Sequence, residues 1–134
     1  PDGRPYLVME YCAQAGLGQR YRTERMSVAE VLRIGVRLAC AVETAHQAGI
    51  LHRDISPDNI LIDRDGNPVL IDFGAASQAT LVPTRVLTGR RVVKDGYSPQ
   101  EFYLTGAEQS PASDLYSLGA TFYHVITGAP PVES

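Results

Sequence analysis

Apolar positions recur along the chain in runs of different period, and each period predicts a different element. "YLVMEY", Tyr6 to Tyr11, is short and continuous, which predicts a strand. It ends in "CAQAGLG", where Gly16 and Gly18 predict a connector. Val28, Val31, Leu32, Leu38, Ala39, Val42 and Ala45 then follow at helical intervals. Ser27 stands three residues before Glu30, the spacing of a capping box, and Gly49 supplies a stop, so a long helix is expected between them. "NILID" and "PVLIDF" are β-rich runs on either side of "RDGN", whose Asp65-Gly66 pair predicts the turn of a hairpin. From Gly74 to about Gly96 there is no clear period, and Thr and Arg recur among scattered apolar residues, which predicts a long loop, functional or mobile. "SDLYSLGATFYHVITG" predicts a last helix, with Ser113 or Asp114 as N-cap and an end at Gly128. Its apolar residues fall on most sides, which predicts a buried helix.

The polar residues that interrupt these runs carry the candidate chemistry. In "LHRDISPDNILID", Asp54 and Asn59 fall on a loop between the long helix and the hairpin. Asp72 follows the second hairpin strand, and the hairpin returns it to the side of Asn59. Phosphoryl transfer needs a carboxylate to orient the attacking hydroxyl, oxygen ligands for magnesium, and positive charge near the moving group. Asp54 suits the first task, and Asn59 and Asp72 suit the second, because Mg²⁺ takes hard oxygen ligands and few of them from protein.

Composition narrows the surroundings of this site. The chain has 134 residues, 44% hydrophobic and 20% charged, as expected for one soluble domain or part of one. A net charge of −3 offers no basic footprint, so no nucleic-acid partner is expected. No apolar run has the length of a membrane span, and no signal peptide is recognisable. Cys12 and Cys40 are far apart, and His46, His52 and His124 lack zinc-site spacing. Small buried thiols in a reducing compartment are expected, hence a cytoplasmic protein, with a membrane anchor in further sequence left open.

"HRDISPDN", "DFG" and "SDLYSLG" resemble, in order and spacing, the catalytic loop, metal motif and buried helix of eukaryotic-like protein kinases. The resemblance covers nearly the whole chain. It implies an α+β fold of the protein-kinase type: a mostly helical large-lobe part with a short β-hairpin and no small lobe. Residues 1–134 then form a partial kinase domain, from the hinge strand to the helix after the activation segment. ATP, Mg²⁺ and a protein substrate with a Ser or Thr acceptor are implied as well. Residue by residue, Asp54 is the implied catalytic base, and Asn59 and Asp72 the implied magnesium ligands. Met9 stands at the gatekeeper position, Glu10 and Cys12 offer backbone groups to adenine, and Leu61 forms the adenine floor. His52 and Phe73 resemble two members of the stack that links the lobes. Asp114 holds the catalytic-loop backbone, and Glu101 in "SPQEF" closes the activation segment. Arg53 is the implied partner of a phosphate on Ser77, Thr80, Thr84 or Thr88, whereas the cluster of Arg85, Arg90 and Arg91 reads as a solvated loop face in preference to a phosphate clamp. Pro57 keeps the serine/threonine form of the loop.

The sequence also departs from the family pattern. It contains no Gly-rich loop, strand lysine or partner glutamate of a small lobe, so it reads as part of a larger catalytic domain and is expected to be inactive alone. The closing triplet is Pro99-Gln100-Glu101 instead of Ala-Pro-Glu, and the preceding segment, "VVKDGYSPQEFY", is closer to bacterial members. Where the family's catalytic loop carries a lysine, this chain has Ser56. Counting back seven residues from Glu101, with Tyr97 as a second anchor, places Lys94 opposite Ser56 and predicts that lysine and hydroxyl have exchanged places. Two other readings compete with a protein kinase. One is a pseudokinase that binds partners or nucleotide without turnover, and the other is a small-molecule phosphotransferase. Retention of Asp54, Asn59 and Asp72 together favours an enzyme, and "GYSPQE" with "DLYSLG" favours protein substrates.

Overall fold

A seven-residue helix, α1 (Leu17–Thr23), stands where the glycines of "CAQAGLG" predict a connector. Gly16 is its N-cap, and Gly18 lies buried in its first turn. A Cβ on Gly18 would come within 3.2 Å of the Asp58 backbone and closer still to its carboxylate. The missing side chain therefore lets α1 lie directly on the loop that carries Asp58. The computed structural model describes residues 8, 11–12, 14–73, 77–78, 93–104 and 108–132. Most of the strand expected at Tyr6–Tyr11 and of the loop expected from Gly74 to Gly96 lies outside them. Val8 and Tyr11 are described, and neither is in a strand.

The second helix, α2 (Val28–Gln47), begins where Ser27 predicts it, with the Ser27 hydroxyl accepting from Glu30 N at 3.2 Å. The Glu30 carboxylate instead accepts from Arg20 of α1 at 2.9 Å, which ties the two helices together. Val31, Ile34, Leu38 and Val42 form the buried stripe, at spacings of three and four residues. Val28 and Leu32 lie off that stripe and are exposed. Beyond α2, β1 (Ile50–Leu51) pairs antiparallel with Ser77–Gln78, which is β4. Between them, β2 (Ile60–Ile62) and β3 (Pro68–Leu70) form the expected hairpin, with Ile60 opposite Leu70 and Ile62 opposite Pro68. The Asp63 carboxylate organises its turn, accepting from Asn67 N at 2.7 Å and Asp65 N at 2.9 Å. These bonds, Asn67's first, hold Asp63 below the usual carboxylate range.

The last helix, α3 (Pro111–Thr127), corrects the expected N-cap. Ser110 is the cap and Pro111 the first helical residue, where a missing N–H costs nothing. Ser113 sits three residues in, and its hydroxyl accepts from Ser110 N at 3.1 Å. Asp114 is thereby released from capping. The expected burial on most sides is also corrected. The buried face is largely polar or small (Ser113, Asp114, Ser117, Ala120, Thr121, His124), whereas Leu115, Tyr116, Tyr123 and Ile126 are exposed. Thr121 donates to Ser117 O within the helix, and the other polar groups have partners on neighbouring segments, which offsets their desolvation. Leu118 joins Leu17, Ile34, Leu38, Val42, Ile55, Ile60 and Ile62 in the core, so α1, α2, the hairpin and α3 meet directly beneath residues 52–59.

Candidate active site

Residues 52–59 connect β1 to β2, and three anchors fix them. The first is Asp114 of α3, whose carboxylate is 1% exposed. It accepts from His52 N and Arg53 N, each at 2.8 Å, and is bonded to His46 Nε2 of α2 at 2.8 Å. The second is the His52 ring. Its Nε2 faces the Ile71 carbonyl at 3.0 Å and must donate there, which leaves Nδ1 to accept from Asp54 N at 3.2 Å. The ring also packs edge-on against Phe73, with centroids 4.5 Å apart. The third is Asn59, whose Nδ2 donates to Asp54 O at 2.8 Å and to Asp54 Oδ2 at 2.9 Å.

Asp72 is tied to the same site through the main chain, because Ile71 N donates to Asn59 O at 2.9 Å. Among the described residues, Arg53 at φ 70° and Asp72 at φ 65° are the non-glycine positions with positive φ. Each conformation costs about 1–3 kcal/mol and persists only where surrounding contacts impose it. Both residues flank the Asp54–Asn59 pair. The donor set fits magnesium: commitment of Asn59 Nδ2 to Asp54 turns the amide oxygen away from Asp54, and Asp72 adds a carboxylate. Among the described residues, no group of three or more His, Cys, Asp and Glu could hold a metal.

Lys94 enters this site from a distant segment. Its Nζ donates to Ser56 Oγ at 2.7 Å and lies 3.6 Å from Asp54 Oδ1. The lysine starts a turn: its carbonyl accepts from Tyr97 N and Ser98 N, each at 3.0 Å, and its own N–H donates to Ser98 Oγ at 2.9 Å. Ser117 of α3 braces the turn by donating to Tyr97 O at 2.7 Å, and the Tyr97 hydroxyl is hydrogen-bonded to His124 Nδ1. Ser113 donates to Glu101 Oε1 at 2.5 Å, holding the end of the segment to the same helix.

The Tyr97–His124 contact has a pH signature. Burial, then the nearby Tyr21 and Asp58, pushes the Tyr97 phenol up to about 12, so it stays a donor. Burial, then Arg22, lowers the pKa of His124 below its ordinary 6.5, which suits a neutral Nδ1 acceptor. The unfolded chain therefore binds the extra proton first, and this contribution is complete above about pH 6.5 and lost as pH falls through the folded value. Urea unfolding at steps from pH 7.5 to pH 5 should show stability falling less steeply in His124→Asn than in the wild type. Parallel curves would remove His124 from that account.

Of the residues named from the sequence, Asp54, Asn59, Ser56 and Lys94 are in contact, Asp72 is joined to Asn59 by backbone, and His52 touches Phe73. Leu61 is half-buried on β2 and lines a depression of about 490 Å³ together with Gly16, Gly18 and Asp58. Cys12 is half-buried and its thiol is free, whereas Cys40 is exposed, contrary to the expected burial of both. Met9, Glu10, Thr80, Thr84, Thr88, Arg85, Arg90 and Arg91 lie outside the described residues. Arg53 Nε is buried without a hydrogen-bond partner, and burial lowers the pKa of its guanidinium. Sequence reasoning missed His46, although Ile34, Leu38 and Val42 lead to it in steps of four along the buried stripe. A histidine in that place signals a buried partner.

The site thus brings together the Asp54 carboxylate, the Asn59 amide and the Lys94 ammonium at a three-way anchored loop, with Asp72 joined to them through the backbone. The chain matches the family model of the protein kinase domain over residues 2–134 and belongs to that family. It is 45% identical over 127 residues to the serine/threonine-protein kinase PknK of Mycobacterium bovis, covering 94% of this chain and 11% of that protein. It is 36% identical over 137 residues to the probable serine/threonine-protein kinase pknA2 of Bifidobacterium longum, covering 99% of this chain and 17% of that one. With the hormonally up-regulated neu tumor-associated kinase of Mus musculus it shares 35% identity over 127 residues, 94% of this chain and 18% of the relative. The chain thus spans less than a fifth of the length of these relatives. Its fold is the α+β kinase type, a mostly helical large-lobe part with one short hairpin and, among the described residues, no small lobe. Among those residues no helix is long and apolar enough to cross a membrane.

Proposed function

We propose that this chain is part of the catalytic domain of a protein serine/threonine kinase, which transfers the γ-phosphoryl group of ATP to hydroxyl groups of protein substrates. The observation that carries the reading is Asp54, a carboxylate oriented by Asn59 Nδ2 on a loop that Asp114 fixes from below. Asp54 orients the acceptor hydroxyl and takes its proton as the new oxygen–phosphorus bond forms and the bond to the ADP oxygen breaks. Asn59 and Asp72 hold Mg²⁺, which when bound neutralises charge on the phosphates. Met9, the Glu10 and Cys12 backbones and Leu61 receive the adenine. Residues 1–134 make up the stretch from the hinge to the helix after the activation segment, in a cytoplasmic protein.

The test uses the full-length gene product with Mg-ATP labelled at the γ-phosphorus and a histone mixture as acceptor. Label on Ser and Thr, abolished by chelator, is the expected result. Nucleotide binding without any transfer would instead establish a scaffold that binds without turnover. Label appearing on a small metabolite but on no protein would favour a small-molecule phosphotransferase. Asp72→Asn should raise the Mg²⁺ concentration for half-maximal rate about tenfold or more, a shift read from magnesium titrations at saturating ATP. An unchanged magnesium requirement would remove Asp72 from the ligand set.

A further inference from the structure

Lys94 is the one lysine in 134 residues, against eleven arginines. Its ammonium occupies an unusual place. It donates to Ser56 Oγ at 2.7 Å, lies 3.6 Å from Asp54 Oδ1, and belongs to a side chain one-third exposed. The Ser56 hydroxyl is fully buried and needs no charged donor for its satisfaction. An ammonium has three donors, of which Ser56 takes one, so the others face the Asp54 carboxylate and the open side of the loop. A hydroxyl held by Asp54 during transfer places the moving phosphoryl group within a few ångströms of that carboxylate, hence beside Lys94 Nζ. Negative charge on that group is the largest electrostatic demand of the reaction, and a fixed cation next to it acts in a partly dehydrated site.

Resting on the kinase reading, we infer that Lys94 is the catalytic cation of this site, contacting the transferred phosphoryl group from the segment facing the loop, with Ser56 as its docking hydroxyl. A compact ammonium on a flexible stem fits this task better than an arginine fork, since it can leave Ser56 for a phosphate oxygen by a small movement of its tip. The cation and the base then lie on separate segments. Lys94 is carried by the turn at 94–98, which Ser98, Ser117 and His124 brace, whereas Asp54 is carried by the loop that Asp114 braces. Turnover therefore requires both segments in place at once. The 2.7 Å contact also means that the ends of the two side chains share one small space. A lysine at position 56 and a hydroxyl at position 94 would fill the same space from opposite sides.

Kinetics of the full-length gene product with Mg-ATP and histone test the inference. Asp54→Asn serves as the inactive reference. Lys94→Thr should lower kcat about a hundredfold, with KM for ATP changed far less. The double exchange Ser56→Lys with Lys94→Thr should recover at least tenfold of that loss, a gain that a misfolded single variant could not produce. A Lys94→Thr enzyme with wild-type kcat, or a double variant no faster than the single one, overturns the inference while leaving the kinase reading intact. Absence of transfer in the wild type, or full transfer in Asp54→Asn, overturns the kinase reading instead. A second readout needs no turnover: acetylation of Lys94 by an amine-reactive ester, followed by peptide mass spectrometry. Mg-ATP should slow modification at least tenfold and adenosine should not. Equal effects of the two ligands would show that Lys94 does not face the phosphates.

Discussion

Asp54→Asn is expected to lower kcat about a thousandfold while leaving the protein folded. The substitution keeps the size and planar shape of the side chain. The backbone half of its anchoring is untouched, because Asn59 Nδ2 still donates to the residue 54 carbonyl and His52 Nδ1 still accepts its N–H. An amide oxygen can replace Oδ2 as the acceptor from Asn59, which places the new NH₂ group toward Lys94 where Oδ1 now lies at 3.6 Å. The variant thus loses two things, the capacity to take a proton and the negative partner of the lysine ammonium. It also turns a hydroxyl acceptor into a donor at the point where the substrate must be oriented. Folding stability should change by no more than about 1 kcal/mol, since the ion pair is partly solvated. The measurement is single-turnover phosphate transfer to histone, together with urea unfolding of both proteins. Activity within tenfold of wild type would show that Asp54 is not the base. Loss of activity with collapse of the fold would show instead that its role is structural.

The parts of this site that were legible in the sequence are those fixed by short-range order. Asp54 and Asn59 are five residues apart on one loop, and a hairpin with a recognisable turn returns Asp72 to the side of Asn59. The α2 cap at Ser27 was legible for the same reason: its hydrogen bond closes over three residues. The contact between Lys94 and Ser56 joins residues 38 positions apart, and composition and periodicity are silent about it. Only alignment to a family pattern placed the two opposite each other. Helix α1 was missed because seven residues with two glycines in or beside the first turn carry too little periodicity to register, and its support comes from packing on Asp58. The α3 boundary was misplaced because Ser110, Ser113 and Asp114 are all acceptable caps in isolation. Pro111 decides among them locally, and the catalytic loop claims Asp114 from across the fold. The apolar residues of α3 predicted burial on most sides, yet the face that is buried is largely polar: Ser113, Ser117 and His124 are buried because each has a partner on the 94–101 segment. Their burial is a property of the pair of segments, so neither segment read alone reveals it.

Removing the Asp114 carboxylate should produce the largest loss of stability of any single change in the site. Asp114→Ala is expected to destabilise the domain by about 3–5 kcal/mol, the range for stripping one partner from a buried, charge-assisted network. Two backbone N–H groups, of His52 and Arg53, would lose their acceptor where water does not reach, at about 1–3 kcal/mol each. Arg53 would also lose the contact that holds it at φ 70°, and the loop would relax toward a conformation in which Asp54 no longer meets Asn59. Asp114→Asn separates these effects. Its single oxygen satisfies either Arg53 N, as Oδ1 does now, or His52 N, as Oδ2 does, but not both. The NH₂ group can be accepted by a neutral His46 when it takes the Oδ2 position, so Arg53 N keeps its acceptor and His52 N is the group left unpaired. The asparagine variant should therefore lose about 1–3 kcal/mol, the cost of one orphaned N–H, and keep more activity than the alanine variant. Urea unfolding followed by pulse proteolysis measures both losses in the full-length gene product, and phosphate transfer to histone ranks the activities. A loss below about 1 kcal/mol for Asp114→Ala, or equal losses for the two variants, would mean that the loop keeps its shape without this carboxylate. In that case the positive φ at Arg53 must be imposed by the packing of its own side chain, whose Nε is buried.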